Sequence, residues 1–354
     1  TIVSGTRGPA SYTLNLAKAM KARGHEVLLV SEAHWRKEPY EPRYEARSWN
    51  FMGIVPVVVS QHDVARHIEE FKPDIVHHQW PTGVSDYFFG QILRLGIPAV
   101  TTIHVSIDSR DVFFDHVFAA HYGMYMHHLG KLKGLISISE FIARQVEKRG
   151  GVATERHHVV YAGVNENVFA PPASRAPGDE LRLLFVGQIM PEKGIDVLID
   201  AAEKVRRSRP LTLSIVGEGT IKPRLQARTK GMDWVRWVGF MSHQKQIAEQ
   251  YAQADLTVLP TRWDEAFSLV PVESMSCGTP VLSTRKGGTP EIVVPGRTGY
   301  LIDECDPQLI ESALLAAKTD ELQAMRASCR DLVMKRHTFA TWCEAHERIY
   351  AGAL

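Results

Sequence analysis

The feature that most constrains this chain is an alternation of short apolar runs with helix-patterned segments, carried through once, broken, and then begun again. In the first half, Val27–Ser31, Val55–Val59, Ile75–His77, Ala99–Ile103 and Gly134–Ile138 read as strands. Helical stretches lie between them, such as Ile138–Lys148 and Ser11–Arg23, where Leu14, Leu16, Ala17 and Met20 make one apolar stripe. Residues 171–180, PPASRAPGDE, carry three prolines and a glycine and read as a linker. The pattern then restarts with strands at Leu183–Val186, Leu211–Val216, Val235–Val238, Leu256–Leu259 and Pro280–Ser283.

Such alternation places helices on both faces of a parallel sheet. The expected fold class is therefore α/β, with two successive Rossmann-like, doubly wound domains. Residues 1–170 form the first, 171–180 the linker and 181–337 the second. Residues 338–354 are helical in pattern, with Phe339, Trp342, Ile349 and Tyr350 as anchors, and are expected to pack back on the first domain. Ligands of such sheets bind outside the carboxyl ends of the strands, so two facing domains would put the site in the cleft between them.

Composition narrows the function classes. Lys and Arg number 41 against 40 Asp and Glu, a net charge of +1 without any basic block, which argues against non-specific nucleic-acid binding. Cys277, Cys305, Cys329 and Cys343 show no CxxC or His-paired spacing, so buried thiols in a reducing cytoplasm are expected rather than disulfides or zinc. No apolar run approaches the roughly 20 residues of a transmembrane helix, and no signal peptide is recognisable. TIVS reads as the tail of a first strand that starts upstream. Lys131, Lys133, Lys148 and Arg149 are too few to define a basic membrane-facing surface, which leaves peripheral membrane contact open.

The candidate chemistry clusters in the second half. After the run ending at Leu259 comes a loop with Arg262, Asp264 and Glu265, then a helix from about Ser268. Unpaired N–H groups at a helix start favour a phosphate, and Pro271 suits the first turn because its missing N–H is not needed there. Glu265 and Glu273 can both border such a site; equally, Glu265 could be a loop charge and Glu273 could complement the helix dipole. Gly187 follows a strand and allows close backbone approach, while Lys193 lies at a helix start where a diphosphate could be met, or where it merely caps and solubilises the helix. Gly217-Glu218-Gly219 lacks the third glycine of the dinucleotide fingerprint, so it reads as a turn and argues against an NAD-dependent oxidoreductase.

In the first half, Gly5 and Gly8 lie between the first strand and first helix as a backbone cradle, and His104 projects from the carboxyl end of a buried strand. Thirteen of the sixteen histidines fall in residues 1–158, including His77-His78 and His127-His128, but none has the HExxH spacing. No Asp-x-Asp occurs, which argues against a carboxylate-held metal on a diphosphate, and no metal site is expected.

These residues resemble glycosyltransferase family 4, the retaining two-domain GT-B enzymes. LLFVGQIMPEKGIDVLIDA, LSIVGEGTIKPRLQ and PTRWDEAFSLVPVESMSCGTPVLSTRKGGTPEIV carry the match, the last containing the Glu-x7-Glu signature as Glu265 and Glu273. GRTGYLID extends it, and GPASYTLNLAKAMKARGHEVLLVS, DIVHHQW, PAVTTIHVS, LISISEFIARQV and VVYAGVNENVFAP match more loosely. The resemblance implies a metal-independent, retaining hexosyltransferase that needs no cofactor. Its donor is a nucleoside diphosphate sugar, UDP-linked by family frequency, and its acceptor a hydroxyl on a small molecule, glycan or lipid.

It also implies roles. Glu273 holds the donor ribose, Glu265 the donor sugar, and the N–H groups of Phe267, Ser268 and Leu269 lie near sugar or diphosphate. Lys193 neutralises the departing diphosphate along a path lined by Gly187, with Gln188 and Gly217 completing the donor-binding set. His104 sits beside the transferred sugar, and Gly5 or Gly8 brings N–H groups to the phosphate. The chain departs from the family at Gln188, where an Arg is usual, so Arg262 or Arg7 is expected to supply the missing cation. Glu265-Ala266-Phe267-Ser268 replaces Glu-Gly-Phe-Gly, and Gln79 replaces a histidine. A phosphorylase or synthase on the same fold, or a catalytically weak sugar-nucleotide-binding relative, are the alternatives.

Overall fold

The structure is a computed structural model, and it describes residues 2–3, 7–31, 47–48, 57–58, 68–80, 93–106, 129–149, 154–173 and 180–354. Two compact units emerge, residues 1–162 with 342–354, and residues 163–341. The division lies ahead of the proline-rich stretch, of which residues 174–179 are outside the described residues. Val164 and Phe169 are buried in the core of the second unit, the Phe169 ring against Tyr251, so the segment before the prolines belongs with that unit.

The first unit is built from β1 (Ile2–Val3), α1 (Arg7–Ala22), β2 (Val30–Ser31), β3 (Arg47–Ser48), β4 (Val57–Val58), β5 (Val76–Trp80), β6 (Ala99–Ile103), β7 (Gly134–Ser137), α2 (Glu140–Arg149) and β8 (His157–Val159). A parallel sheet has the order β2-β1-β5-β6-β7-β8. Of the apolar run expected as a strand at Val55–Val59, the described residues Val57 and Val58 form β4, which pairs antiparallel with β3 rather than in the parallel sheet. The strand β8 has no apolar run to announce it; His157 and Val159 align with Leu135 and Ser137 at the sheet edge. Tyr12, Leu16, Ala17 and Met20 turn one face of α1 into the core, as the helical spacing requires.

The second unit contains β9 (Leu181–Val186), α3 (Ile195–Val205), β10 (Leu211–Val216), α4 (Lys222–Arg228), β11 (Val235–Gly239), α5 (Gln244–Gln253), β12 (Leu256–Leu259), α6 (Leu269–Ser276), β13 (Val281–Thr284), β14 (Gly299–Ile302), α7 (Pro307–Ala316) and α8 (Thr319–Arg336). Its parallel sheet runs β11-β10-β9-β12-β13-β14. Leu183, Leu213, Ile215, Leu256, Val258 and Leu282 are 0–1% exposed and form the inward positions of these strands, while Arg182, Thr212 and Ser214 between them are half-buried. Ile195, Leu198, Ile199, Ala202 and Val205 put the stripe of α3 into the same core. Each buried Ile, Leu or Val side chain of this set stabilises the unit by about 1.5–3 kcal/mol.

The chain closes with α9 (Phe339–Ala353), which packs within the first unit from Trp342 onward. Trp342 is 2% exposed and meets Tyr12 edge-on at 4.6 Å. Its indole Nε1 donates to the Tyr12 hydroxyl at 3.2 Å, and that hydroxyl lies 3.2 Å from His346 Nε2. The His346 Nδ1 donates to the Trp342 carbonyl at 2.8 Å, which leaves Nε2 to accept from Tyr12. One turn on, the Tyr350 hydroxyl is 2.6 Å from His77 Nδ1. Of the expected anchors, Trp342 and Ile349 are buried, while Phe339 and Tyr350 are half-buried; His346, not foreseen, is fully buried. Trp342→Ala is expected to destabilise the first unit by about 3–5 kcal/mol, the cavity also stripping Tyr12 of a donor. Urea unfolding followed by circular dichroism should show the lower midpoint.

Candidate active site

The strand order of the second unit reverses between β9 and β12, and in doubly wound sheets this switch point opens a crevice at the carboxyl ends. Gly187 and the Pro191–Lys193 turn follow β9; the Pro260–Ser268 loop follows β12. The topology therefore brings two segments far apart in sequence to one place.

Lys193 ends a single 3₁₀ turn, and Gly194 then reverses the chain into α3. The Lys193 ammonium pairs with Glu265 Oε1, the two side chains being 21% and 17% exposed. The Trp263 indole N–H donates to that same oxygen at 2.9 Å, and the ammonium stands 5.1 Å from the centroid of the Trp263 ring. Glu265 is fixed from behind as well. Its carbonyl accepts from Gly288 N at 2.7 Å, and Gly287 N donates to Asp264 Oδ1 at 3.1 Å. Gly287 has φ +57°, and a Cβ there would come within 2.0 Å of the Glu265 carbonyl oxygen, so the loop after β13 must be glycine to seat Glu265.

Ser268 precedes α6 in extended conformation, and its side chain makes no capping hydrogen bond. The first N–H groups of α6 have no carbonyl a turn back, so Ser268 and Leu269 offer an anion-binding helix start. Glu273, one turn further, accepts from the Tyr251 hydroxyl of α5 at 2.9 Å. Burial pushes the Glu273 carboxyl up to about 7, with the Tyr251 hydrogen bond acting in the opposite direction. Gly217, after β10, stacks its backbone on Gly187: a Cβ there would meet the Gly187 carbonyl oxygen at 1.9 Å. Gln188 is exposed. Among the described residues no group of three His, Cys, Asp or Glu side chains is arranged to hold a metal ion, and no helix is long and apolar enough to cross a membrane.

Residues 6–168 match the family described as Glycosyltransferase Family 4, and residues 169–332 match Glycosyl transferases group 1. The chain belongs to this family of glycosyltransferases. It is 30% identical over 297 residues to a D-inositol 3-phosphate glycosyltransferase of Streptomyces avermitilis, a match that spans 72% of this chain and 62% of that relative's own length. Among solved structures it is similar to a sucrose-phosphate synthase from Thermosynechococcus elongatus, with TM-score 0.79 and 19% identity over 98% of this chain and 94% of the other. It is also similar to Anabaena HepE in complex with UDP and glucose, with TM-score 0.77 and 16% identity over 99% and 98%. These likenesses place the fold in the GT-B class.

In this glycosyltransferase, Arg262 does not stand free for the cation missing at Gln188. Its two terminal nitrogens each lie 3.0 Å from an oxygen of Asp196, and Nη1 also donates to the Pro191 carbonyl. It braces the Lys193 turn against the loop after β12 instead, an arrangement favoured because Asp196 sits in the first turn of α3. Of the alternatives, Arg7 and Gly8 lie in α1, with the Arg7 side chain outside the described residues; Gly5 and His127-His128 lie outside them altogether. Phe267 is half-buried and tilts against the His337 ring at 6.2 Å between centroids.

His104, in the first unit, is 7% exposed at the end of β6 and packs edge-on against Tyr12 at 4.6 Å. Its Nε2 donates to Gln79 Oε1 at 2.6 Å, which leaves Nδ1 as the acceptor. Burial lowers its pKa to about 3, so the ring is neutral at physiological pH. The Gln79 amide nitrogen is buried without a hydrogen-bond partner among the described residues. Sequence reasoning did not find Trp263, Tyr251 or the Asp196 brace. Only Trp263 left a trace, as an aromatic residue within the signature loop.

Proposed function

We propose that the second unit binds a nucleoside diphosphate sugar, preferentially UDP-linked, and that the enzyme transfers the sugar with retention and without a metal to a hydroxyl acceptor. The observation that carries this reading is the convergence of Lys193, Glu265, the start of α6 and Glu273 at the switch point of one sheet. A cation and helix-start dipoles suit a diphosphate, and the two carboxylates suit sugar and ribose hydroxyls. Anabaena HepE, whose structure holds UDP and glucose, supports UDP as the nucleotide. The missing Asp-x-Asp supports metal independence, Lys193 taking over the charge that grows on the leaving phosphate.

In the front-face route that the family implies, the bond from the anomeric carbon to the donor phosphate breaks as the acceptor oxygen attacks from the same face. The leaving phosphate takes the acceptor proton, so no protein base is required. In this reading His104 stands beside the transferred sugar, its neutral ring able to accept a hydroxyl hydrogen bond at Nδ1. Four cysteines that form no disulfide fit a cytoplasmic enzyme.

The test is nucleotide release from UDP-, GDP- and ADP-glucose across an acceptor panel that includes D-myo-inositol 3-phosphate, with and without EDTA. Acceptor-dependent, EDTA-insensitive UDP release with an α-linked product supports the proposal. Phosphate-dependent glycan cleavage without any nucleotide would replace it with a phosphorylase. Glu273 adds a pH signature. Ribose hydroxyls donate to a carboxylate, so UDP affinity should rise about tenfold from pH 6 to pH 8 as a group titrating near 7 ionises. Calorimetric titration should find that rise in the wild type and a flat profile in Glu273→Gln.

A further inference from the structure

Trp263 is the large aromatic residue of the candidate site that stays open to solvent, at 40% exposure. Its place is nevertheless built. On one side Arg262 is tied to Asp196; on the other Asp264 accepts from Gly287 N at 3.1 Å. The Trp263 carbonyl accepts from Thr261 Oγ1 at 3.3 Å. An exposed indole on a loop held at both ends is set for a contact, not for filling a core.

What it touches is specific. The Glu265 Oε1 receives both the Lys193 ammonium and the Trp263 N–H, while no hydrogen bond from the described residues reaches Oε2. The carboxylate plane is thus fixed through one oxygen, and the other is left to accept. The Trp263 ring face lies under the same ammonium, 5.1 Å away, a cation–π distance. Lys193 can leave Glu265 for a diphosphate without releasing the carboxylate, because the indole still holds it.

We infer that Trp263 is a positioning residue: it holds Glu265 so that Oε2 faces the hydroxyls of the donor sugar, and so it governs recognition of the sugar and not of the nucleotide. This rests on the donor-site reading above, and it adds the group that lets one carboxylate serve in turn as a partner for Lys193 and as a sugar ligand.

Calorimetric titration of UDP and UDP-glucose into wild type, Trp263→Phe and Trp263→Leu separates the possibilities. Phe keeps a ring for Lys193 but removes the N–H. A hydrogen bond to a charged group lost here should weaken UDP-glucose about tenfold or more, with UDP unchanged within about twofold. Leu should weaken UDP-glucose at least as much. With a working acceptor, both variants should raise KM for UDP-glucose, with a smaller change in kcat. Equal losses for UDP and UDP-glucose, or no loss for either, would overturn the inference while leaving the donor site standing. Wild type that binds neither ligand would overturn the donor-site reading and this inference with it.

Discussion

Lys193→Ala is expected to lower turnover by about 10²–10³-fold, the effect of removing one preorganised group from a site of developing negative charge. In the proposed reaction, departure of a nucleoside diphosphate concentrates charge on the phosphate oxygens, and among the described residues the Lys193 ammonium and the start of α6 would meet that charge. Arg262 cannot share the load while it is tied to Asp196, and Gln188 carries no charge. The fold should hardly notice the loss. Lys193 is 21% exposed in its side chain, and its partner Glu265 keeps the Trp263 N–H. A melting temperature close to wild type beside a collapsed kcat is the expected pair of results. Near-normal kcat would remove Lys193 from the reaction.

Acidification should destabilise the first unit well above the pH at which ordinary carboxylates titrate. Burial lowers the pKa of His104 to about 3 and of His346 to about 4, and pushes that of His77 well down, with neighbouring His346 adding to the effect. The folded unit keeps these rings neutral, whereas the unfolded chain binds protons from about pH 6.5 downward. Stability is therefore complete above about 6.5 and is lost as pH falls toward the folded-state values. By linkage each such histidine should remove about 2 kcal/mol by pH 5. The partners of these rings supply no compensating carboxylate. His77 meets Tyr350 and Thr102, His104 meets Gln79, and His346 meets Tyr12 and the Trp342 carbonyl. Urea titrations at pH 8, 6 and 5 should show the falling midpoint, and His346→Gln should flatten the dependence. A midpoint indifferent to pH in this range would contradict the burial argument.

Legibility from sequence followed the physics of each element. Ala99–Ile103, Leu211–Val216 and Leu256–Leu259 have the bounds predicted from sequence, because each carries β-branched and aliphatic residues that are buried in its sheet. Val57–Val58 shows the limit: an apolar run announces a strand but not its partner. His157–Val159 shows the converse, since an edge strand of half-buried residues carries no apolar signal. Of the proposed site residues, Lys193, Glu265 and Glu273 stand out in the sequence because each sits at a local landmark, a glycine turn or a helix start. Tyr251 and Asp196 were not, because they meet Glu273 and Arg262 across 22 and 66 residues only once the sheet is assembled. Arg262 illustrates the same point: its charge is visible in the sequence, while its commitment to Asp196 is a property of the fold.

The most direct test of the central claim is a thermal-shift titration of the whole chain with UDP, UDP-glucose, GDP-mannose and ADP-glucose, each with and without EDTA, repeated on Glu273→Ala. At a hundredfold excess over the dissociation constant a ligand should stabilise by about 2.7 kcal/mol, a readily measured shift. The account predicts an EDTA-insensitive rise in melting temperature with UDP and UDP-glucose that disappears in Glu273→Ala. Well-folded protein that responds to none of these ligands, or a UDP shift that survives Glu273→Ala unchanged, would contradict it.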